Sequence, residues 1–197
     1  MNHPLQCKCG KVKGYVAHAE RADRVVCYCK DCQAFAHFLG EYGILDEKGG
    51  TDIIQALPLD VNFKEGTDAL ACMRLTPKGL LRWYTSCCNT PIGNIMENFR
   101  ISYVGLVHNC LDNSGMSLED SFGPVRAHVY MKSARGEPKP ESMGLFAVFF
   151  RVMRRLVMAR IDGSYKSNPF FVPGSGTPIV TPKVLSQAEL ETLENSL

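Results

Sequence analysis

Seven of the nine cysteines fall in three short elements. The first is Cys7-Lys8-Cys9-Gly10, the second Cys27-Tyr28-Cys29-Lys30-Asp31-Cys32, the third Cys87-Cys88-Asn89-Thr90-Pro91. Grouped thiols serve as metal ligands, as redox pairs or as disulfides. An odd total argues against a closed set of disulfides. Zinc accepts tetrahedral thiolate coordination without a ligand-field preference, and Lys8 or Lys30 would offset part of the thiolate charge. The two-residue spacing of Cys29 and Cys32 is ordinary for a zinc knuckle. Cys-x-Cys is tighter and needs a sharp turn, which Gly10 permits. Zinc is therefore the expected cofactor. Cys29 and Cys32 also have the spacing of a redox pair, but that site opens a helix after a strand in an α/β fold, and the surroundings read as β-rich. Cys72 and Cys110 stand apart and read as small buried hydrophobes. His37, on a short apolar helix, reads as a packed, hydrogen-bonded histidine, and His108 likewise; His3, His18 and His128 give no site argument.

These thiols must be positioned by short elements. A weak alternation over KVKGYV, the run RVVCYC, and segments 53–57, 61–63, 71–75, 80–84 and 101–107 predict strands between polar turns, hence a mainly β fold. Residues 31–39 predict a short helix with Phe35 and Leu39 four apart. SARGEPKPE, residues 133–141, reads as a linker. This divides the chain into a zinc-binding β domain, 1–132, and a C-terminal extension, 133–197. The extension opens with the strongest helix signal, MGLFAVFFRVMRRLVMARIDG, stopped by Gly163. Arg151 and Arg155 share one face of it; Phe149, Val152, Leu156 and Ala159 line another. The segment PFFVPGSGTPIVTPKVL predicts an extended path over the surface. A last helix begins at Ser186, with Glu189 completing a capping box and Leu185 stapling to Leu190.

Bulk properties exclude little. A charged fraction of 21% and a net charge of +2 are ordinary, too small a bias to argue for nucleic acid or membrane. No run of eighteen apolar residues occurs, so a spanning helix is not expected. The opening MNHPLQCKCG has no apolar leader core, which makes a reducing, cytoplasmic compartment the expectation.

The three elements together carry a resemblance. CKCGKV (Cys7, Cys9, Gly10, Val12), CYCKDCQ (Cys27, Cys29, Cys32, Gln33) and WYTSCCNTP resemble, in order and spacing, the blocks of the glutathione-dependent formaldehyde-activating enzyme family. That family shares a zinc-bearing, mainly β fold with Mss4-like proteins and centromere protein V. The likeness covers about Leu5 to Ile95; the chain reads as a divergent branch with a C-terminal extension. It implies a structural zinc on Cys7, Cys9 and Cys88, with the family's remaining cysteine falling on Thr85 and its glycine on Asn89. Cys87, two residues beyond Thr85, is the candidate replacement. It implies a second zinc on Cys27, Cys29 and Cys32, the catalytic set, with a fourth position open to substrate. His37 stands where the family carries a small residue, a side chain able to close that position.

The function this resemblance implies is that of a zinc-dependent carbon–sulfur lyase handling adducts of an aldehyde with a small thiol such as glutathione. The rival is a non-catalytic, zinc-stabilised interaction module. Tyr28, Asp31 and His37 lie near the ligands in sequence. Lys8, Lys11, Lys13, Lys30 and Arg82 are available for substrate carboxylates, or are simply solvated. The cationic helix is expected to bury its apolar face against the domain or a homodimer partner, ahead of peripheral membrane contact. Nucleic-acid binding is not expected, because no basic and aromatic residues alternate.

Overall fold

The computed structural model describes residues 1–40, 42–141 and 144–195. Its strands are β1 (His3–Gln6), β2 (Lys13–Val16), β3 (Asp23–Cys27), β4 (Thr51–Ala56), β5 (Val61–Glu65), β6 (Leu70–Arg74), β7 (Leu81–Thr85), β8 (Pro91–Ile95), β9 (Val104–Val107), β10 (Val125–Val129) and β11 (Lys183–Val184). Its α-helices are α1 (Lys30–Leu39), α2 (Leu118–Phe122), α3 (Leu145–Ile161) and α4 (Gln187–Glu194). A small antiparallel sheet runs β1-β2-β5, and a large one runs β10-β3-β4-β9-β8-β7-β6-β11. Inside the large sheet every pairing is antiparallel; only the two edge strands, β10 against β3 and β11 against β6, run parallel.

Side chains alternate across a strand, so consecutive apolar residues serve opposite faces. Ile54, Cys72 and Leu106 point into one core with Leu5, Val16, Trp83, Phe122 and Phe170. Their neighbours Ile53, Met73 and Val107 point into a second core with Val25, Phe35, Leu39 and Val148. The large sheet is thus covered on both sides, by the small sheet and α2 on one face and by α1, α3 and α4 on the other. Two-sided burial explains why β8 and β9 are buried at every position.

The chain is a mixed α/β fold with antiparallel sheets and added C-terminal helices. The expected antiparallel sheets and added C-terminal helices are present, and helices complete the second core, so the fold is mixed rather than mainly β. Helix α1 is bounded as its sequence dictates. Cys29 is its N-cap, and Gly40 closes it at φ 66°, donating to the carbonyls of Ala36 and His37. The capping box of α4 is present, and Leu185 and Leu190 pack on the second core. The segment after α3 does more than cross the surface. Phe170 is fully buried, 5.2 Å from the ring of Trp83 and 5.5 Å from that of Phe63. Helix α3 turns inward most of the face its periodicity indicates, with Phe149 the exception. Val148 and Ala159 are buried and Val152 and Leu156 half-buried, whereas Phe149 is 59% exposed.

Candidate metal centres

The first cluster is built from two tight turns. At the end of β1 the chain turns through Cys7 to Gly10, whose φ of 76° lets its N–H reach the Cys7 carbonyl at 2.8 Å. Val12 donates its N–H to Cys7 Sγ at 3.2 Å. Between β7 and β8, Asn89 adopts a left-handed conformation at φ 53° and donates to the Thr85 carbonyl at 2.8 Å. Asparagine tolerates that conformation better than most residues. The Lys8 N–H donates to Thr90 Oγ1 at 3.0 Å, tying one turn to the other. The result brings four sulfurs together: Cys7 to Cys9 3.6 Å, Cys7 to Cys87 3.9 Å, Cys9 to Cys87 3.3 Å and Cys87 to Cys88 3.8 Å. Tetrahedral thiolates about 2.3 Å from one zinc ion stand about 3.8 Å apart, so the donor set fits such an ion. Cys87 occupies the fourth place. Thr85 contributes no ligand and instead sets its hydroxyl 3.4 Å from Cys88 Sγ, with Thr90 Oγ1 at 3.2 Å on the same sulfur.

The second cluster lies where β3 passes into α1. Cys27 ends the strand, Cys29 caps the helix and Cys32 sits in its first turn. The sulfurs of Cys27 and Cys32 are 3.8 Å apart, and all three lie within 4.8 Å of one another. Cys29 and Cys32 do open a helix after a strand, the setting of a redox pair, but Cys27 joins them as a third donor. Gln33 holds the loop, donating its carboxamide to the carbonyls of Tyr28 at 2.9 Å and Ser133 at 3.1 Å.

These three cysteines line a cavity of about 460 Å³ on the helix-covered face of the large sheet. A row of cross-strand neighbours runs along this face: Arg82 on β7, Asn94 on β8, Gly105 on β9, Gln55 on β4 and Asp23 on β3. The first four line the cavity. Gly105 is required there, since a Cβ would come within 2.9 Å of Ile53 and 3.2 Å of the Tyr103 hydroxyl. Arg82 is 1% exposed, donates to Asn94 Oδ1 at 3.0 Å, reaches Asp31 Oδ2 at 3.3 Å and lies over the Phe35 ring. Gln55 donates to the Tyr103 hydroxyl at 3.4 Å.

A model of a family of unknown function, DUF6151, matches residues 1–180. The chain belongs to DUF6151. No curated protein matches it. The matched span holds both cysteine clusters and continues through α3 and the buried Phe170. In this DUF6151 chain the two clusters also differ in electrostatics. In the three-sulfur set, hydrogen bonds from Cys27 and Cys29, then the charge of Arg82, outweigh burial and bring Cys32 well below the usual thiol range. Hydrogen bonding with Cys29 and Cys32, then burial, pushes Cys27 up. In the four-sulfur set, burial opposes ionisation of Cys88, but the hydroxyls of Thr85 and Thr90 prevail and bring it down to about 5. Burial pushes the Tyr103 hydroxyl up to about 12, so it stays a neutral donor at physiological pH.

Of the other residues that the sequence points to, Arg82 and Asp31 line the cavity. Tyr28 does not: its hydroxyl donates to Asp46 at 3.3 Å. His37 lies outside the three-sulfur group, its Nε2 3.3 Å from Arg135 Nη2. Lys11 and Lys13 are ion-paired with Asp68 and Glu65. Cys72 and Cys110 are buried and separate from both clusters. Asn94, Gln55 and Tyr103 are residues that the sequence reading misses. A polar residue inside an apolar strand run, as in PIGNI, is the available signal for Asn94. No helix among the described residues is long and apolar enough to cross a membrane.

Proposed function

We propose that the chain holds two zinc ions with different duties, and that it acts as a zinc-dependent carbon–sulfur lyase on adducts of an aldehyde with a small thiol such as glutathione. Cys7, Cys9, Cys87 and Cys88 would saturate one ion and serve structure. Cys27, Cys29 and Cys32 would hold the other, leaving one position for substrate. The observation that carries this reading is that the three-sulfur set lines a cavity beside a buried arginine. The resemblance of the three cysteine blocks to the formaldehyde-activating enzymes supplies the reaction class.

Zinc in such a site lowers the pKa of a thiol and orients its sulfur. The chain's own residues do the rest. Arg82 offsets the charge of the thiolates and is a buried donor fixed by Asn94 and Asp31, positioned to hydrogen-bond developing charge. Asn94 and Gln55 present amides, and Tyr103 a neutral hydroxyl, toward the space where a carbonyl oxygen would gain charge. Val25, Ile53, Leu80 and Val129 supply apolar walls. In the addition direction a sulfur–carbon bond forms and the proton lost by the thiol ends on the carbonyl oxygen. In the lyase direction that proton leaves the hydroxyl, the carbon–sulfur bond breaks and the thiol is regenerated. Asp31, 65% exposed at the cavity rim, is placed to exchange the proton with solvent.

The test is metal content and catalysis in one series. Protein expressed with zinc should carry two ions per chain; Cys32→Ser should carry one and lose acceleration of thiol–aldehyde exchange, followed by NMR with glutathione and formaldehyde. Full metal content with no acceleration by the parent protein would reject the lyase and leave the zinc-stabilised module. Absence of metal would reject both.

A further inference from the structure

Helix α3 is apolar on two opposite faces, and only one is used by the fold. Inward, Val148 and Ala159 are buried. Outward, Phe146, Phe150, Met153, Val157 and Ile161 recur at intervals of four, three, four and four residues, which aligns them in one row. Phe146 is 82% exposed, Phe150 69% and Ile161 74%, with Phe149 beside them. Single exposed apolar residues are ordinary; a continuous row of this length marks a contact surface.

The helix cannot turn this row inward. Asp23, fully buried on β3, binds Arg151 Nε at 2.9 Å and Arg155 Nη2 at 2.6 Å, with Arg126 Nε of β10 at 3.3 Å. Leaving a buried carboxylate without its arginines would cost several kcal/mol, so the rotation of α3 is fixed. At its start, Gly144 packs so closely on β10 that a Cβ would meet the Arg126 carbonyl at 2.0 Å.

Charge selects among occupants. The helix has four arginines and no acidic residue. Arg151 and Arg155 are engaged by Asp23, while Arg154 and Arg160 are exposed beside the apolar row, Arg160 lying 4.4 Å over the Tyr165 ring. Just beyond the helix Lys166 is exposed too, as is the C-cap carboxylate Asp162. A second copy of the chain docking by this face would set arginine against arginine with no carboxylate on either helix. An anionic bilayer offers the reverse: an apolar boundary for the row and phosphate and carboxylate headgroups for the guanidinium groups beside it.

We propose that the outward face of α3 docks the protein on anionic membrane surfaces, the helix lying in the interface with its aromatic row in the acyl boundary. The proposal is independent of catalysis at the three-sulfur site. The full zinc-supplied chain is sedimented with vesicles of phosphatidylcholine alone and with roughly one third phosphatidylserine. Partitioning should be at least about tenfold stronger on the anionic vesicles and fall as salt is raised. Phe146→Ser with Phe150→Ser should lower it by about tenfold or more. Arg154→Gln and Arg160→Gln should each lower it about fivefold on anionic vesicles only. All these positions are exposed, so thermal stability should stay at the parent value. Failure to sediment, or binding that survives both sets of substitutions, would overturn the proposal. So would a parent dimer in sedimentation velocity that the Phe variants convert to monomer without any vesicle binding, because a second copy would then own the face.

Discussion

The two cysteine clusters offer the same donor atom, yet their surroundings differ. Around Cys7, Cys9, Cys87 and Cys88 four sulfurs come together, and two threonine hydroxyls contact the sulfur of Cys88. The cavity beside it takes in Cys7 alone of its four cysteines. Around Cys27, Cys29 and Cys32 a donor is missing, and all three line a cavity with a buried guanidinium. A saturated thiolate set joins chain segments about eighty residues apart and is suited to stability. An unsaturated set facing space is suited to binding something further. The difference comes from where each turn stands. One pair of turns closes over itself at the strand ends. The other opens a helix above a polar row on the sheet.

The sharpest way to break this comparison is to remove one sulfur from each cluster. Cys88→Ser should cost roughly 5 kcal/mol or more in zinc-supplied protein, because an ion held there would tie β1 to the β7–β8 turn and contribute its binding energy to folding. Cys32→Ser should cost far less, on the order of 1–3 kcal/mol, because α1 is also held by its Gly40 C-cap and by Phe35 and Leu39. Thermal unfolding with metal analysis on both variants is the measurement. Equal losses would mean that both clusters are structural.

A second test sharpens the distinction by leaving every cysteine in place. Arg82→Met keeps much of the side-chain volume and removes the cavity's buried cation. Thiol–aldehyde exchange should fall by ~10²-fold, the usual effect of deleting one preorganised donor. Metal content should remain at two ions, with stability lowered by about 1–3 kcal/mol as Asn94 loses its partner. Unchanged catalysis would place the chemistry elsewhere, and loss of the second ion would make Arg82 a support for metal binding.

Much of the site is legible in the sequence, and the rest is hidden for identifiable reasons. Spacing alone marks the seven clustered cysteines, and cap chemistry marks α1 and α4, because those signals are local. The turn that lets Cys87 and Cys88 converge with Cys7 and Cys9 depends on Asn89 in a left-handed conformation, which is also local. The floor of the cavity is not. Arg82, Asn94, Gly105 and Gln55 become neighbours only through strand register, which no single segment encodes. β10 and β11 pair in parallel at the sheet edges with partners far away in sequence, so no hairpin signal announces them. Periodicity finds most of the inward face of α3 but wrongly adds Phe149 to it, because apolar residues occupy most angles of that helix. The choice is made by Asp23, far upstream of Arg151 in the chain.

His3 yields a smaller test that separates the four-sulfur side from the cavity side by pH. It lies on β1, four residues before Cys7, fully buried, with Nδ1 2.7 Å from Ser121 Oγ and its ring against Phe122. Burial lowers its pKa, only partly opposed by the charge of Asp112. A histidine with a depressed folded-state pKa binds its proton more readily when unfolded. Its contribution is therefore complete above the unfolded value near 6.5 and is lost as pH falls through the window below it, until the folded pKa is reached. The slope in that window is at most about 1.4 kcal/mol per pH unit. His3→Gln retains a polar side chain without the titration. Its stability should start lower at pH 7.5 but decline less steeply between about 6.5 and 5 than that of the parent. Both proteins share the acid sensitivity of the thiolates, so the difference between their slopes isolates the histidine. Identical slopes in chemical denaturation would mean that His3 takes its proton without unfolding β1, and that acid weakens the four-sulfur side through its sulfurs alone.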